Sequence, residues 1–165
     1  MQAPPAVGDF EVRPIGHVES TLADTADAPN QGDQGAPDGW LVIEPAVREG
    51  VRDIAVGAEL FVLTWLHLSH RDELSTVPGD DPGGPERGVF STRSPARPNP
   101  IGLHRVTVRA VEDGRLRVGP LEAIDGTPVI DIKPVFREFL PSEAIVQPPW
   151  SHELMRHYWS TRTGK

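Results

Sequence analysis

Hydrophobic positions along this chain come in short runs, most of them with a period of two. Leu103 to Val111 alternates, which puts Leu103, Arg105, Thr107, Arg109 and Val111 on one face of a strand. Asp113-Gly114 follows, a strong signal for a two-residue hairpin, and Arg115–Val118 reads as the returning strand. Leu60–His67 is a continuous β-favouring run and predicts a central strand. Shorter strands are expected over Trp40–Ile43, Val89–Thr92 and Val129–Ile132, and over Phe10–Val18 with an interruption at Pro14. Helical signals are few. Pro45–Ile54 starts with a proline suited to a first turn but contains Gly50. Ser151–Trp159 predicts a terminal helix with Ser151 as its N-cap. Residues 20–39 and 77–86 are rich in Gly, Pro and Asp and read as long loops. Six or seven short strands joined by such loops predict a mainly β protein, a small single-domain β-barrel with a short C-terminal helix. The expected division is a loose segment over residues 1–9, the barrel over 10–148 and a helical tail over 149–165.

Composition narrows this picture. The chain has 165 residues and no cysteine, which excludes disulfides and thiolate metal sites. No apolar run approaches the ~20 residues that a membrane span needs. Met1–Ala6 lacks the charged-then-apolar plan of a signal peptide. A cytoplasmic protein without a membrane partner is expected. His67 and His70 stand three apart with no carboxylate cluster to complete a site, so no metal is expected. The net charge of −8 is unevenly spread: residues 1–60 hold 11 acids and 3 bases. By contrast, Gly88 to Val111 contains no acid and carries Arg93, Arg97, Arg105 and Arg109. Arg105 and Arg109 read as solvated residues on the outer face of a strand. Arg93 and Arg97 read as a cationic site for an anion.

These two arginines sit in the most distinctive run of the chain, Gly88-Val89-Phe90-Ser91-Thr92-Arg93-Ser94-Pro95-Ala96-Arg97-Pro98-Asn99-Pro100-Ile101-Gly102-Leu103. Its three prolines fix φ and remove backbone donors, so Ser94–Pro100 can be neither helix nor central strand. The residues before each proline are driven to extended conformations. The result is a stiff loop that loses little entropy on binding. The run resembles the signature of the TrmO (TsaA-like) family, a close variant of G-V-F-A-T-R-S-x-x-R-P-N-P-I-G. Asp125-Gly126-Thr127-Pro128-Val129-Ile130-Asp131-Ile132-Lys133-Pro134 is similar to the family's D-G-T-P-V-x-D-I-K-P. The resemblance spans roughly residues 10–148.

The resemblance implies a β-barrel methyltransferase that uses S-adenosylmethionine (SAM) and leaves S-adenosylhomocysteine. Its best-known members methylate N6 of threonylcarbamoyl-adenosine beside the anticodon of tRNA. It also implies a homodimer with the site near the subunit interface. The implied cofactor pocket draws on Pro29-Asn30-Gln31, with asparagine where the family has arginine, and on His67-Leu68, with leucine where the family has glutamine. Arg93, Leu103 and the loop Asp125-Gly126-Thr127-Pro128 complete it. The chemistry suits SAM. Arg93 can pair with a carboxylate through two charge-assisted bonds. A loop built on Gly126 lets the backbone approach an adenine edge. Leu103 offers apolar surface, and Asp125 or Asp131 can accept from the ammonium or the ribose. His67, Asn99 and Asp131 are the catalytic candidates; Arg97, Asn99 and Lys133 are candidates for holding substrate. Plainer readings stand beside these: Asp125-Gly126 as a turn, Leu103 as core, Asp131 and Lys133 as a pair on one strand face. The stretch before the signature, Pro78–Pro82, is acidic where the family's is basic, and the acidic N-terminal third opposes RNA phosphates. A paralogue that methylates a small-molecule amine, and a SAM-binding module without turnover, are the alternatives.

Overall fold

The structure, a computed structural model, describes residues 8, 10–80, 83–141 and 144–158. Eight strands are present among them: β1 (Gly16–Glu19), β2 (Gly39–Ile43), β3 (Glu59–Trp65), β4 (Ser75–Thr76), β5 (Arg87–Gly88), β6 (Ile101–Glu112), β7 (Arg115–Gly119) and β8 (Pro128–Pro134). Six of them close into an antiparallel barrel in the order β1-β2-β7-β6-β3-β8, while β4 and β5 form a separate ribbon. Closure removes the exposed sheet edges that would otherwise pair with other chains.

The alternation of β6 dictates its placement. Gly102, His104, Val106 and Val108 point inward, while Leu103, Arg105 and Arg109 face out. Val18, Leu41, Val62, Leu116, Val118 and Val129 fill the interior, fully buried. A barrel of this strand number has room only for side chains. The β6–β7 hairpin turns on Asp113-Gly114 as expected, with Gly114 at φ 74°, a region that favours glycine.

The strand directions place the sequence motifs. The pairings Trp65↔Ile101, Thr64↔Val129 and Glu19↔Trp40 bring the ends of β1, β3 and β7 and the starts of β2, β6 and β8 to one end of the barrel. The long connections 20–38, 66–100 and 120–127 all leave from this end. At the opposite end lie the 3₁₀ helix Pro45–Val51 and the hairpin turn.

Local details depart from the sequence reading. The Pro45 segment is 3₁₀ rather than α-helical. The first strand is only Gly16–Glu19, after Pro14. β3 stops at Trp65, so His67 lies in a turn closed by Ser69 N–H donating to Leu66 O at 2.9 Å. Val89–Ser91 is a 3₁₀ turn, not a strand, because the Thr92 amide and hydroxyl both donate to Val89 O, at 3.1 and 2.9 Å. The terminal helix α1 runs Pro149–Tyr158 and so begins before Ser151. Ser151 does not cap it; its Oγ donates to Pro148 O at 2.7 Å. Trp159 and the rest of the tail lie outside the described residues, as does the expected loose N-terminal segment apart from Gly8. No helix among the described residues is long and apolar enough to cross a membrane.

Candidate functional site

The signature loop is held from inside by Arg97. Its Nε donates to Ser94 O at 2.7 Å, and one terminal nitrogen donates to Val89 O at 3.0 Å and Thr92 O at 2.6 Å. A guanidinium fork suits three carbonyls arranged around a bend. The backbone of the loop is tied to the turn after β3: Arg97 N–H donates to His70 O at 3.1 Å, and Arg71 Nε to Pro98 O at 3.3 Å. Leu66 N–H closes the junction by donating to Pro100 O at 2.7 Å. His67 and Leu68 therefore sit, exposed, beside the signature loop.

The arginines of the acid-free stretch are thereby sorted. Arg105 pairs with Glu59 at 2.5 and 2.9 Å rather than being merely solvated. Arg109 lies 4.0 Å from Asp38 and donates to Gly119 O at 3.4 Å. Arg97 is committed to backbone carbonyls. Among the described residues only Arg93 of these four has no hydrogen bond or ion pair, and it is exposed on the rigid loop. Asn99 is exposed too, with its carbonyl oxygen accepting from Ile101 N–H at 2.7 Å.

The remaining segments converge on the same end. Thr127 is buried and turns the loop tightly, its hydroxyl donating to Ile124 O at 2.6 Å. Gly126 N–H donates to Val18 O at 2.7 Å, and Asp125 Oδ1 accepts from Ser20 N–H at 3.0 Å. Pro128 then enters β8 beside β1 and β3. Pro29 and Gln31 are half-buried and Asn30 is exposed, just before the 3₁₀ turn Gly32–Gln34. That turn packs beside β6. A methyl group in place of the Gly32 hydrogen would come within 2.9 Å of Pro120 O and 3.1 Å of Glu122 Oε2.

Leu103 lies on the outer face, 46% exposed, not in the core as its isolated reading suggests. It stands in one row with Leu63 and Asp131 across β6, β3 and β8. Asp131 is occupied: Oδ2 lies 2.8 Å from Lys133 Nζ, and Oδ1 accepts from Ile132 N–H at 2.9 Å. A cleft of about 850 Å³ opens at the motif-bearing end on the β1–β2–β7 side, lined by Glu19, Asp38, Trp40, Arg117 and Asp125. Of the sequence-expected residues it takes in Asp125 alone, so it is not the place where these segments meet.

Sequence reasoning missed three polar residues beneath this end. Thr64 Oγ1 lies 2.7 Å from His104 Nε2, and His104 Nδ1 lies 2.7 Å from Glu122 Oε1. The available signal was parity: His104 occupies an inward position of an alternating strand, where a polar side chain needs partners. Gly102 makes room for this chain. A Cβ there would collide with Thr64 Oγ1 and His104 Nε2. Gly102→Ala is expected to cost about 1–3 kcal/mol through overpacking. Urea unfolding checks this, and an unchanged midpoint would contradict it.

Known proteins share this fold. The family model described as tRNA-methyltransferase O N-terminal domain matches residues 17–139. An S-adenosyl-L-methionine-binding protein of Archaeoglobus fulgidus is 45% identical over 123 residues, covering 74% of this chain and 86% of that protein. A relative in Methanothermobacter thermautotrophicus, described as a "Probable S-adenosyl-L-methionine-binding protein", is 43% identical over 131 residues, covering 79% of this chain and 93% of the relative. The crystal structure of TrmO from Pseudomonas aeruginosa superposes with a TM-score of 0.70 at 26% identity, covering 89% of this chain. This chain spans 64% of the length of that TrmO. With a family match over most of its barrel and the family's motifs gathered at one barrel end, the chain belongs to the TrmO N-terminal-domain family.

Proposed function

We propose that this protein is a SAM-dependent N-methyltransferase that methylates N6 of threonylcarbamoyl-adenosine in tRNA. The observation that carries the reading is Arg93, a partnerless guanidinium among the described residues, held on a loop that Arg97 stiffens. The donor set at this end of the barrel fits SAM. Arg93 supplies a cation for the carboxylate, and Leu103 an exposed apolar surface for the adenine. The loop Asp125-Gly126-Thr127-Pro128 brings backbone to the adenine edge, and the Asp125 carboxylate supplies an acceptor for the ammonium or ribose. Pro29, Asn30 and Gln31 cover the pocket, and His67 and Leu68 wall it. SAM, when bound, supplies an electrophilic methyl group.

The protein's own task is to hold an acceptor nitrogen in line and to take its proton. Positioning of this kind can account for several kcal/mol of a barrier. His67 is exposed in its turn beside the signature loop and is assigned the proton. Asn99 orients the acceptor. Asp131 is the weaker candidate base, because Lys133 and the Ile132 amide already use its oxygens. Lys133 and Arg97 accordingly act on the protein itself before they act on substrate. A homodimer is part of this reading. Leu103 and Ile101, each more than two-fifths exposed, lie with Leu63 and Trp65 on one outer face that a second copy would cover. Light scattering at working concentration is expected to give twice the chain mass; a monomer would count against the dimer.

The charge favours a second reading, in which the acceptor is a small-molecule amine. Eleven acids in the first 60 residues oppose a polyanion. A third outcome is a SAM-binding module without turnover. Transfer of labelled methyl from SAM to threonylcarbamoylated tRNA, with unmodified tRNA as control, separates them. Transfer to the modified tRNA alone supports the proposal. No binding to either tRNA at low salt overturns it.

A further inference from the structure

The barrel interior is apolar except at the end that carries the motifs. There a histidine and a threonine are buried, His104 at 5% exposure and Thr64 at 0%. Buried polar groups are costly unless paired. These are paired in series: Thr64 Oγ1 to His104 Nε2 and His104 Nδ1 to Glu122 Oε1, both at 2.7 Å. Nδ1 faces a carboxylate oxygen and so carries the hydrogen of that bond, while the Thr64 hydroxyl bonds Nε2; both ring nitrogens thus have a partner.

The order of groups copies that of a nucleophile, a base and an orienting carboxylate. Thr64 is fully enclosed, however, and Gly102 packs against both Thr64 Oγ1 and His104 Nε2. No reacting group reaches this hydroxyl, so its part is mechanical. The placement of the three residues shows what it connects. Thr64 lies on β3 shortly before His67, His104 directly follows Leu103, and Glu122 opens the loop that continues to Asp125-Gly126-Thr127-Pro128. Gly32, next to Gln31, packs so close to Glu122 that a Cβ there would lie 3.1 Å from its second oxygen. Three of the four segments assigned to the cofactor thus adjoin a link of the same buried chain in sequence, and the fourth packs beside Glu122.

We propose that His104 is a positioning residue which, with Thr64 and Glu122, locks these four segments in mutual register from inside the barrel. The proposal rests on the cofactor reading above for its purpose, but not for its geometry. An apolar filling would serve stability as well, since replacing paired buried polar groups by well-packed apolar ones is often neutral. The polar chain adds direction: each bond admits one rotamer of its partner, and a shift of one segment is passed to the others.

The test is amide hydrogen exchange on the full chain, comparing wild type with Thr64→Val and Thr64→Ser. Thr64→Val is expected to lower protection together in the segments around residues 31–36, 66–69, 100–104 and 121–127, while the distant hairpin at Asp113-Gly114 is unchanged. Thr64→Ser, which keeps the hydroxyl, is expected to restore the wild-type pattern. Loss confined to β3, or no rescue by serine, would overturn the proposal. Long-range ¹⁵N spectra give a second readout: the ring of His104 should show the Nδ1–H tautomer in wild type and lose it in Glu122→Ala. If Thr64→Val unfolds, Glu122→Ala decides the matter: it is expected to lower protection in the same four segments, and loss confined to the loop after β7 overturns the proposal. SAM calorimetry runs alongside. Thr64→Val is expected to bind SAM roughly tenfold more weakly, the scale of one lost hydrogen bond. Should wild type itself bind no SAM, the cofactor reading fails while hydrogen exchange still decides the positioning role.

Discussion

Arg97→Ala is expected to destabilise the protein by about 3 kcal/mol and to abolish measurable SAM binding, because three hydrogen bonds from a charged donor are lost at once. Among the described residues, the carbonyls of Ser94 and Thr92 lose their only hydrogen-bond donor, at 2.7 and 2.6 Å. Val89 O keeps the Thr92 amide and hydroxyl, so the 3₁₀ turn outlasts the loop that follows it. The loop would then be held by its prolines, by the Ser94 N–H bond to Thr92 Oγ1 and by its ties to Leu66, His70 and Arg71. Arg97→Lys is expected to rescue little. A lysine ammonium is a compact donor on a flexible stem and cannot reproduce a planar fork across three carbonyls. Urea unfolding and calorimetry check both variants; wild-type stability in Arg97→Ala would remove the stapling role.

Arg93→Ala is expected to do the opposite: leave stability unchanged and weaken SAM binding roughly ten- to a hundredfold, the range for losing a charge-assisted bond. The side chain is exposed and has no partner among the described residues, so the fold loses nothing with it. A mutation that costs affinity without costing stability marks a group that waits for a ligand. Affinity unchanged in Arg93→Ala would remove it from the site. A lowered unfolding midpoint would mean that it has a structural task instead.

The parts of this molecule that were legible in its sequence are the local ones. The alternation of Leu103–Val111 fixes which face of β6 is inside, and Asp113-Gly114 fixes the hairpin. The prolines of Ser94–Pro100 forbid regular structure there, and none forms. Other features depend on where distant segments land. Leu60–His67 reads as strand throughout, yet the ladder with β6 stops at Trp65↔Ile101, just where Pro100 ends the facing strand. Arg105 and Arg109 look merely solvated until closure of the barrel sets Glu59 and Asp38 beside them. Val89–Thr92 has the composition of a strand, but Val89 O is taken by Thr92 and Arg97 and cannot join a ladder. The Thr64–His104–Glu122 chain has no local signature, because its members meet only when β3, β6 and the loop after β7 converge. The candidate site is thus legible as motifs, and the packing beneath it only in three dimensions.

The most direct measurement is calorimetric titration of the purified protein with SAM and with S-adenosylhomocysteine. Saturable binding of both, weakened in Arg93→Ala, is the expected result. It would establish the cofactor and leave turnover and the methyl acceptor to the transfer assay. No saturable binding of either compound by folded protein would contradict the assignment of this barrel end as a cofactor site.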